Sequence, residues 1–395
     1  DCGATLASLG TCTVVVTYSP TGAAIHNDTL DINYHNGASP QTSSVGVTGT
    51  GATAALLVIS DSATYDYGTI ATGGTADHTF TVDNTGGVAA TLLTDGGGLA
   101  VPFNYKDGTY PGTGGSCGAT LNNGAQCTII VSYSPIIGGS DSDTILLDYH
   151  NGTSSQQANR GVQGTATAPA VIDISETDPY DYGLHAIASS TDYTFTLSNS
   201  GGVQSTSMAG YGLAAPFEFK GGTYPGTGGD CALTLNNGSN CSVVITYTPS
   251  TGVLHPDTFN IDYNDGAAAQ TSSRDIQGTG TSTAILTITE IDPYDYGDVP
   301  SAGSSDYTFT ITNTGPITAS AIAGGGLAAP WTYKGGSFPG TGGNCTTSLA
   351  ASGTCTTVVT FSPTVTGPST DTIDISYNNG AILVNSTRVV QGNGV

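Results

Sequence analysis

Cys231-Ala-Leu-Thr-Leu-Asn-Asn-Gly-Ser-Asn-Cys-Ser-Val-Val-Ile-Thr-Tyr-Thr-Pro249 decides the fold. Nine residues separate its two cysteines. Beyond the second, Cys241, Val243, Ile245 and Tyr247 fall on one side of an extended chain, the alternation of a half-buried β-strand. The disulfide would then lie on the buried side of that strand. Asn236-Asn237-Gly238 suits a tight turn inside the loop, and Pro225-Gly226 upstream suits a type II turn. Downstream, Phe259, Ile261 and Tyr263 alternate with Thr258, Asn260 and Asp262 as a second such strand. Upstream, Tyr193, Phe195 and Leu197 alternate with Thr194 and Thr196 as a third.

The spacing recurs. All eight cysteines form the pairs Cys2/Cys12, Cys117/Cys127, Cys231/Cys241 and Cys345/Cys355, at intervals of 115, 114 and 114 residues. So long and regular a period denotes a tandem array of one small domain. Complete units fall at 52–166, 167–280 and 281–395, preceded by the back half of another at 1–51. Each complete unit opens on Tyr-Asp-Tyr-Gly, at 65–68, 180–183 and 294–297. Each continues through Lys106-Asp-Gly-Thr-Tyr-Pro-Gly-Thr-Gly-Gly115 or its copies from Lys220 and Lys334. The chain has six basic residues, and they obey the repeat: Lys106/Lys220/Lys334 and Arg160/Arg274/Arg388, with Val45 in the arginine place of the half unit.

A unit of this length is an ordinary domain able to bury its own core. The formal net charge of −24 argues against nucleic acid as a partner, since phosphate binding needs a basic footprint. It argues equally against an anionic membrane surface. No apolar run approaches the roughly 20 residues of a spanning helix. Four local cysteine pairs suit a disulfide framework in an exported protein. A zinc site would need closely spaced Cys/His clusters, and no histidine holds a fixed place beside these pairs. Closing a ten-residue loop stabilises by roughly 2.5–3 kcal/mol in the chain-entropy model.

About seven short strands per unit with Gly-rich turns predict an all-β chain of tandem sandwiches forming an elongated array, with no helix of useful length. The third complete unit reads Tyr307-Thr-Phe-Thr-Ile-Thr-Asn-Thr-Gly315, then Cys345–Cys355, then Thr360-Phe361-Ser362-Pro363. This order resembles the ASH (abnormal-spindle/hydin type) Ig-like domains, in the version found in bacterial choice-of-anchor D surface proteins. The resemblance covers the whole chain, repeat by repeat. It implies an immunoglobulin-like sandwich used as a spacer or assembly module, with no catalytic residues to carry over. Relatives in cilia and centrosomes work in reducing cytosol, so the paired cysteines favour the exported bacterial branch.

Chemistry was sought at positions the repeats share. Glu176, Asp178 and Asp181 gather at the start of the second complete unit, and Glu290, Asp292 and Asp295 at the start of the third. Oxygen ligands beside a domain junction make Ca2+ the candidate ion, with no cofactor required. The first unit offers only Asp61 and Asp66, with Ala63 in the middle slot. The bland alternative is a solvated strand entrance. The single lysine per unit raises an intramolecular isopeptide to Asp77/Asp192/Asp306 or Asn84/Asn199/Asn313, against a plain salt bridge. The six histidines occupy mostly non-equivalent positions and support no Ser-His-Asp triad. The Pro-Gly-Thr-Gly-Gly segments lack the Lys-Ser/Thr of a phosphate loop. Trp331 stands in the place of Phe103 and Phe217, a core position. Sequons occur at Asn27, Asn151, Asn237, Asn240, Asn344 and Asn385.

The expectation is therefore a structural repeat protein, an extracellular rod or filament segment of a bacterial surface protein or appendage, and not an enzyme. Its partners would be further copies or neighbouring repeats in a fibre, without nucleic acid or membrane insertion by this segment. The alternative is an adhesin whose repeats bind glycan or protein, with or without Ca2+. Cys2 corresponds to Cys117, so the front of the first unit lies outside this sequence, whereas Val395 closes a complete unit. A window cut from a longer repetitive chain is the favoured reading, and completion of the half unit by a partner the other.

Overall fold

The computed structural model describes residues 1–61 and 64–395. They form two compact units, Asp1–Pro169 and Ala170–Val395.

In the first unit, β1 (Ile25–His35) and β2 (Pro40–Thr50) make an antiparallel hairpin. A sandwich follows: β3 (Leu57–Ile59), β4 (Thr64–Ala71), β5 (Ala76–Asn84), β6 (Ala90–Asp95), β7 (Phe103–Tyr105), β8 (Thr120–Leu121), β9 (Gln126–Tyr133), β10 (Gly139–His150) and β11 (Ser155–Thr167). Its sheets run β3-β5-β9-β7 and β4-β11-β10-β6-β8.

The second unit holds two sandwiches. The first comprises β12 (Ile172–Ile174), β13 (Tyr180–Ala186), β14 (Thr191–Asn199), β15 (Thr206–Tyr211), β16 (Phe217–Phe219), β17 (Asn240–Tyr247), β18 (Leu254–Asn264) and β19 (Ala269–Thr281), in sheets β12-β14-β17-β16 and β13-β19-β18-β15. The second comprises β20 (Leu286–Ile288), β21 (Tyr294–Val299), β22 (Ser305–Asn313), β23 (Ala319–Gly325), β24 (Trp331–Tyr333), β25 (Ser348–Leu349), β26 (Thr354–Phe361), β27 (Gly367–Asn378) and β28 (Leu383–Gly394). Its sheets are β20-β22-β26-β24 and β21-β28-β27-β23-β25.

These are immunoglobulin-like sandwiches, and the chain is all-β. Among the described residues, one three-residue 3-10 turn, Lys106–Gly108, is the only helical element. The cores follow from the alternation. Phe195 and Leu197 of β14 and Val243, Ile245 and Tyr247 of β17 face Phe259 and Ile261 of β18, all fully buried. Full burial of each such side chain stabilises by about 1.5–3 kcal/mol. Trp331 is 2% exposed and stacks on Phe361 at 4.2 Å, as Phe217 stacks on Tyr247 at 4.6 Å, so the tryptophan is a core residue.

Tyr-Asp-Tyr-Gly forms the one parallel strand of each sandwich: β4 beside β11, β13 beside β19 and β21 beside β28. Asp181 Oδ1 accepts the Gly183 amide at 2.7 Å, and Gly183 has φ +81°, where the register shifts. The shift turns Tyr182 inward, and its hydroxyl donates to the Ile245 carbonyl at 3.0 Å. The closing Gln-Gly step has a steric cause: a Cβ at Gly278 would stand 2.6 Å from the Tyr247 ring. Within the second unit, a Cβ at Gly380 would meet Ile317 at 2.4 Å and the Ala186 methyl of the preceding sandwich at 3.0 Å.

Three details differ from expectation. The sandwiches hold nine, eight and nine strands among the described residues, because elements such as Phe217–Phe219 and Ser348–Leu349 are too short to show a period. Pro225 is the third residue of its turn and not the second: the Gly226 amide donates to the Thr223 carbonyl at 2.8 Å across a cis Tyr224–Pro225 bond. Residues 11–18 carry the pattern of β17 yet form no strand, whereas β9, β17 and β26 each lie between two partner strands.

Candidate functional site: repeated ion pairs, a buried asparagine and an acidic entrance

Lys220 follows β16 directly and reaches across β17 to β14, where its Nζ lies 2.7 Å from Asp192 Oδ2. Thr246 donates its hydroxyl to the other carboxylate oxygen at 2.6 Å. The same triplet stands in each sandwich: Lys106, Asp77 and Ser132 at 2.9 and 2.6 Å, and Lys334, Asp306 and Thr360 at 2.8 and 2.6 Å. The lysine and the hydroxyl hold each aspartate carboxyl below the usual carboxylate range. Amide formation needs a protonated acid, which this environment disfavours, so the geometry makes these salt bridges. With about two-fifths of each side chain exposed in the second sandwich (43% and 40%), such a pair contributes less than about 1 kcal/mol.

The asparagines weighed as isopeptide partners do something else. Asn199 is 1% exposed, and all its hydrogen-bonding capacity is used by backbone. Its Nδ2 donates to the Val203 and Leu235 carbonyls at 2.9 Å each, and its Oδ1 accepts the amides of Val171 at 3.2 Å and Gly201 at 3.0 Å. Asn84 and Asn313 repeat this arrangement. Each joins the segment before its first strand, the turn after its own strand and the disulfide loop. The signal was present in the alternation: Phe195, Leu197 and Asn199 share one inward phase, and a polar residue there requires partners.

The arginines brace the first strand of each sandwich. Arg160, Arg274 and Arg388 donate Nη2 to the carbonyls of Ile59, Ile174 and Ile288. Arg274 Nη1 also lies 3.8 Å from Asp178 Oδ2, and Arg388 Nη1 3.5 Å from Asp292 Oδ2.

Of the six acidic residues suggested for Ca2+, the four aspartates meet protein donors through both oxygens, and the buried Oε2 atoms of Glu176 and Glu290 have no hydrogen-bond partner. Asp178 and Asp292 face the arginines and accept the amides of Asp275 and Val389, both at 3.1 Å. Asp181 Oδ2 accepts from Gln277 at 3.1 Å and Asp295 Oδ2 from Gln391 at 3.0 Å, while their Oδ1 atoms take the glycine amides of the parallel strand. Glu176 Oε1 lies 3.5 Å from the Tyr193 hydroxyl, and Glu290 Oε1 accepts the Thr310 amide at 2.8 Å. Among the described residues no three His, Cys, Asp or Glu side chains converge as a metal-binding set. Ala63 of the first entrance lies outside the described residues. Asp61 there faces His78 Nε2 at 3.2 Å, and His78 stacks on Tyr65 at 3.7 Å.

Four histidines do hold equivalent places. His26 and His255 bond the hydroxyls of Tyr18 and Tyr247 through Nδ1, at 2.7 and 2.9 Å. His35 and His150 accept turn amides through Nδ1, where Asn264 and Asn378 use Oδ1. All four are local braces. The disulfides Cys2–Cys12, Cys117–Cys127, Cys231–Cys241 and Cys345–Cys355 are formed.

No family model matches the chain, and no curated protein matches it. Among solved structures it is similar to the titin I-band fragment I67–I69, at 10% identity over 88% of this chain and 100% of that one, TM-score 0.28. It is similar to extracellular cadherin domains 1–4 of protocadherin gamma B7, at 9% identity over 93% and 83%, TM-score 0.29. It is also similar to the ASH/PapD-like domain 7 of human CEP192, at 14% identity over 29% and 87%, TM-score 0.23.

Proposed function

We propose that this chain is a structural segment of an exported bacterial protein, built from ASH-type Ig-like repeats and serving as a rod or fibre element. One observation carries the reading: the polar residues kept in every complete repeat are engaged in holding that repeat together. Lysine meets aspartate, arginine meets a strand carbonyl, and asparagine meets four backbone groups. The closed disulfides support export, since such bonds persist outside reducing cytosol. Small-angle scattering of the purified chain tests the rod: an elongated particle is expected, and a compact globule refutes it. Thiol titration of protein recovered from its native cells tests export, with no free thiol expected.

The adhesin alternative draws on another repeated feature. Half-buried, closely apposed rings recur at Tyr65–His78, Tyr180–Tyr193 and Tyr294–Tyr307, 3.7–4.0 Å apart. Binding on a glycan array, lost when these rings are replaced by serine, would establish it over the structural reading. No binding with or without Ca2+ removes it.

A further inference from the structure

One ring pair recurs where the two sheets of each sandwich meet, and the repeats vary one of its members. Tyr180 of β13 faces Tyr193 of β14, with centroids 4.0 Å apart and 29° between the planes. Tyr294 of β21 faces Tyr307 of β22 at 3.9 Å and 31°. In the first sandwich Tyr65 of β4 faces His78 of β5 at 3.7 Å and 16°. All six rings are half-buried. β13 and β14 belong to opposite sheets, as do β21 and β22. The disulfide Cys231–Cys241 instead joins β17 to the loop before it, and not to a strand of the opposite sheet.

Two phenols held face to face are arranged for oxidative coupling. The other tyrosine contacts of these residues are not. Tyr180–Tyr182 and Tyr294–Tyr296 meet edge to face at 5.1 and 5.3 Å, and Tyr182 and Tyr296 donate their hydroxyls to the Ile245 and Val359 carbonyls. We propose that Tyr180–Tyr193 and Tyr294–Tyr307 are dityrosine sites, closed by a diffusible one-electron oxidant into a carbon–carbon bond between the sheets. Each ring gives up one electron and its phenolic proton, and two equivalents of the oxidant are reduced. The two phenoxyl radicals join through their ortho carbons. The hydrogen on each joined carbon then passes to the phenolic oxygen, which restores both hydroxyls, so the pair loses two hydrogens in all. Burial and then the neighbouring phenol push Tyr180 and Tyr294 up to about 12, so their protons leave with the electrons at neutral pH. Glu176 Oε1, 3.5 Å from the Tyr193 hydroxyl, is placed to take that ring's proton, and the remaining protons pass to water. Holding the rings together replaces a chance encounter of two radicals by a local one. His78 stands where the second phenol would be, so the first sandwich keeps the contact without the coupling. The inference goes beyond the structural role proposed above and does not depend on it.

In the test, photolysis of tris(bipyridyl)ruthenium with persulfate supplies the oxidant to a dilute solution of the whole 395-residue chain. Cleavage at Asp181 and Asp192, or at Asp295 and Asp306, separates the members of each pair unless they are bonded. Mass mapping is expected to find Tyr180 joined to Tyr193 and Tyr294 joined to Tyr307 in monomeric protein, each link with the loss of two hydrogens and with dityrosine fluorescence. Tyr193→Phe is expected to remove the first link and keep the second. His78→Tyr is expected to add a third, to Tyr65. The proposal is overturned by no link at either pair once the persulfate is consumed, or by links formed chiefly between molecules. Absence of the third link in a His78→Tyr chain that keeps its fold also overturns it, by removing reactivity from the ring contact.

Discussion

Residues 1–51 and residues 230–280 carry the same pattern, and they differ in strand pairing and in burial. Turns, hairpin, disulfide and the Tyr–His contact are shared, yet Tyr18 is 47% exposed where Tyr247 is fully buried. Burial needs strands from the other half of the sandwich. The largest expected effect follows: Phe195→Ala should destabilise the second sandwich by about 3–5 kcal/mol, whereas Ile32→Ala in the half repeat should cost less than about 0.5 kcal/mol. Site-resolved hydrogen exchange in denaturant measures both; equal effects would end the comparison.

The asparagine brace comes next. Asn199→Ala removes the partner of one buried and three part-buried backbone groups on three segments, the buried Leu235 carbonyl alone costing about 1–3 kcal/mol. Faster exchange at Val171 and Gly201 together is the expected sign, and a change confined to one of them would show that the three-way tie is not cooperative. The disulfides extend the contrast to chemistry. Cys2 and Cys12 are exposed, while the other six cysteines are at most 9% exposed. Under limiting dithiothreitol with alkylation and mass mapping, Cys2–Cys12 should open first, because exchange rates depend on access to the sulfur.

The smallest effect is electrostatic. Asp77, Asp192 and Asp306 sit below the ordinary carboxylate range, chiefly through hydrogen bonds from their lysines. A depressed carboxylate contributes stability that is present above the unfolded carboxylate range and is lost as pH falls through the lowered value. Each pair is largely solvated, so the loss should stay below about 1 kcal/mol per sandwich. Acid titration of thermal stability should be flatter in a Lys220→Met chain; an unchanged slope would remove the pair from the stability of the fold.

Much of this was legible beforehand. Repeat length, cysteine partners, the inward phase of Phe259 and Ile261, and the core place of Trp331 all follow from local alternation and internal comparison. The lysine's partner was narrowed to an aspartate or an asparagine, and geometry chose the aspartate. The asparagine, raised beside the aspartate as an isopeptide partner, has a phase beside Leu197 that marks it as buried. Strands as short as Phe217–Phe219 carry too few residues for a period to register, and the bend at Tyr224–Pro225 was placed one residue off.

The repeat, the longer strands with the faces they bury, and the cysteine pairs are local in origin, because they rest on steric preferences and spacings among near neighbours. The donors that the aspartates of the acidic entrance meet come from the tertiary fold. Asp178 meets Arg274 and the Asp275 amide, and Asp181 meets Gln277, because β19 returns in parallel beside β13 almost a hundred residues later. Partners that far apart along the chain leave no mark in local pattern. Which donors the two aspartates meet follows from the sheet that brings those donors to them.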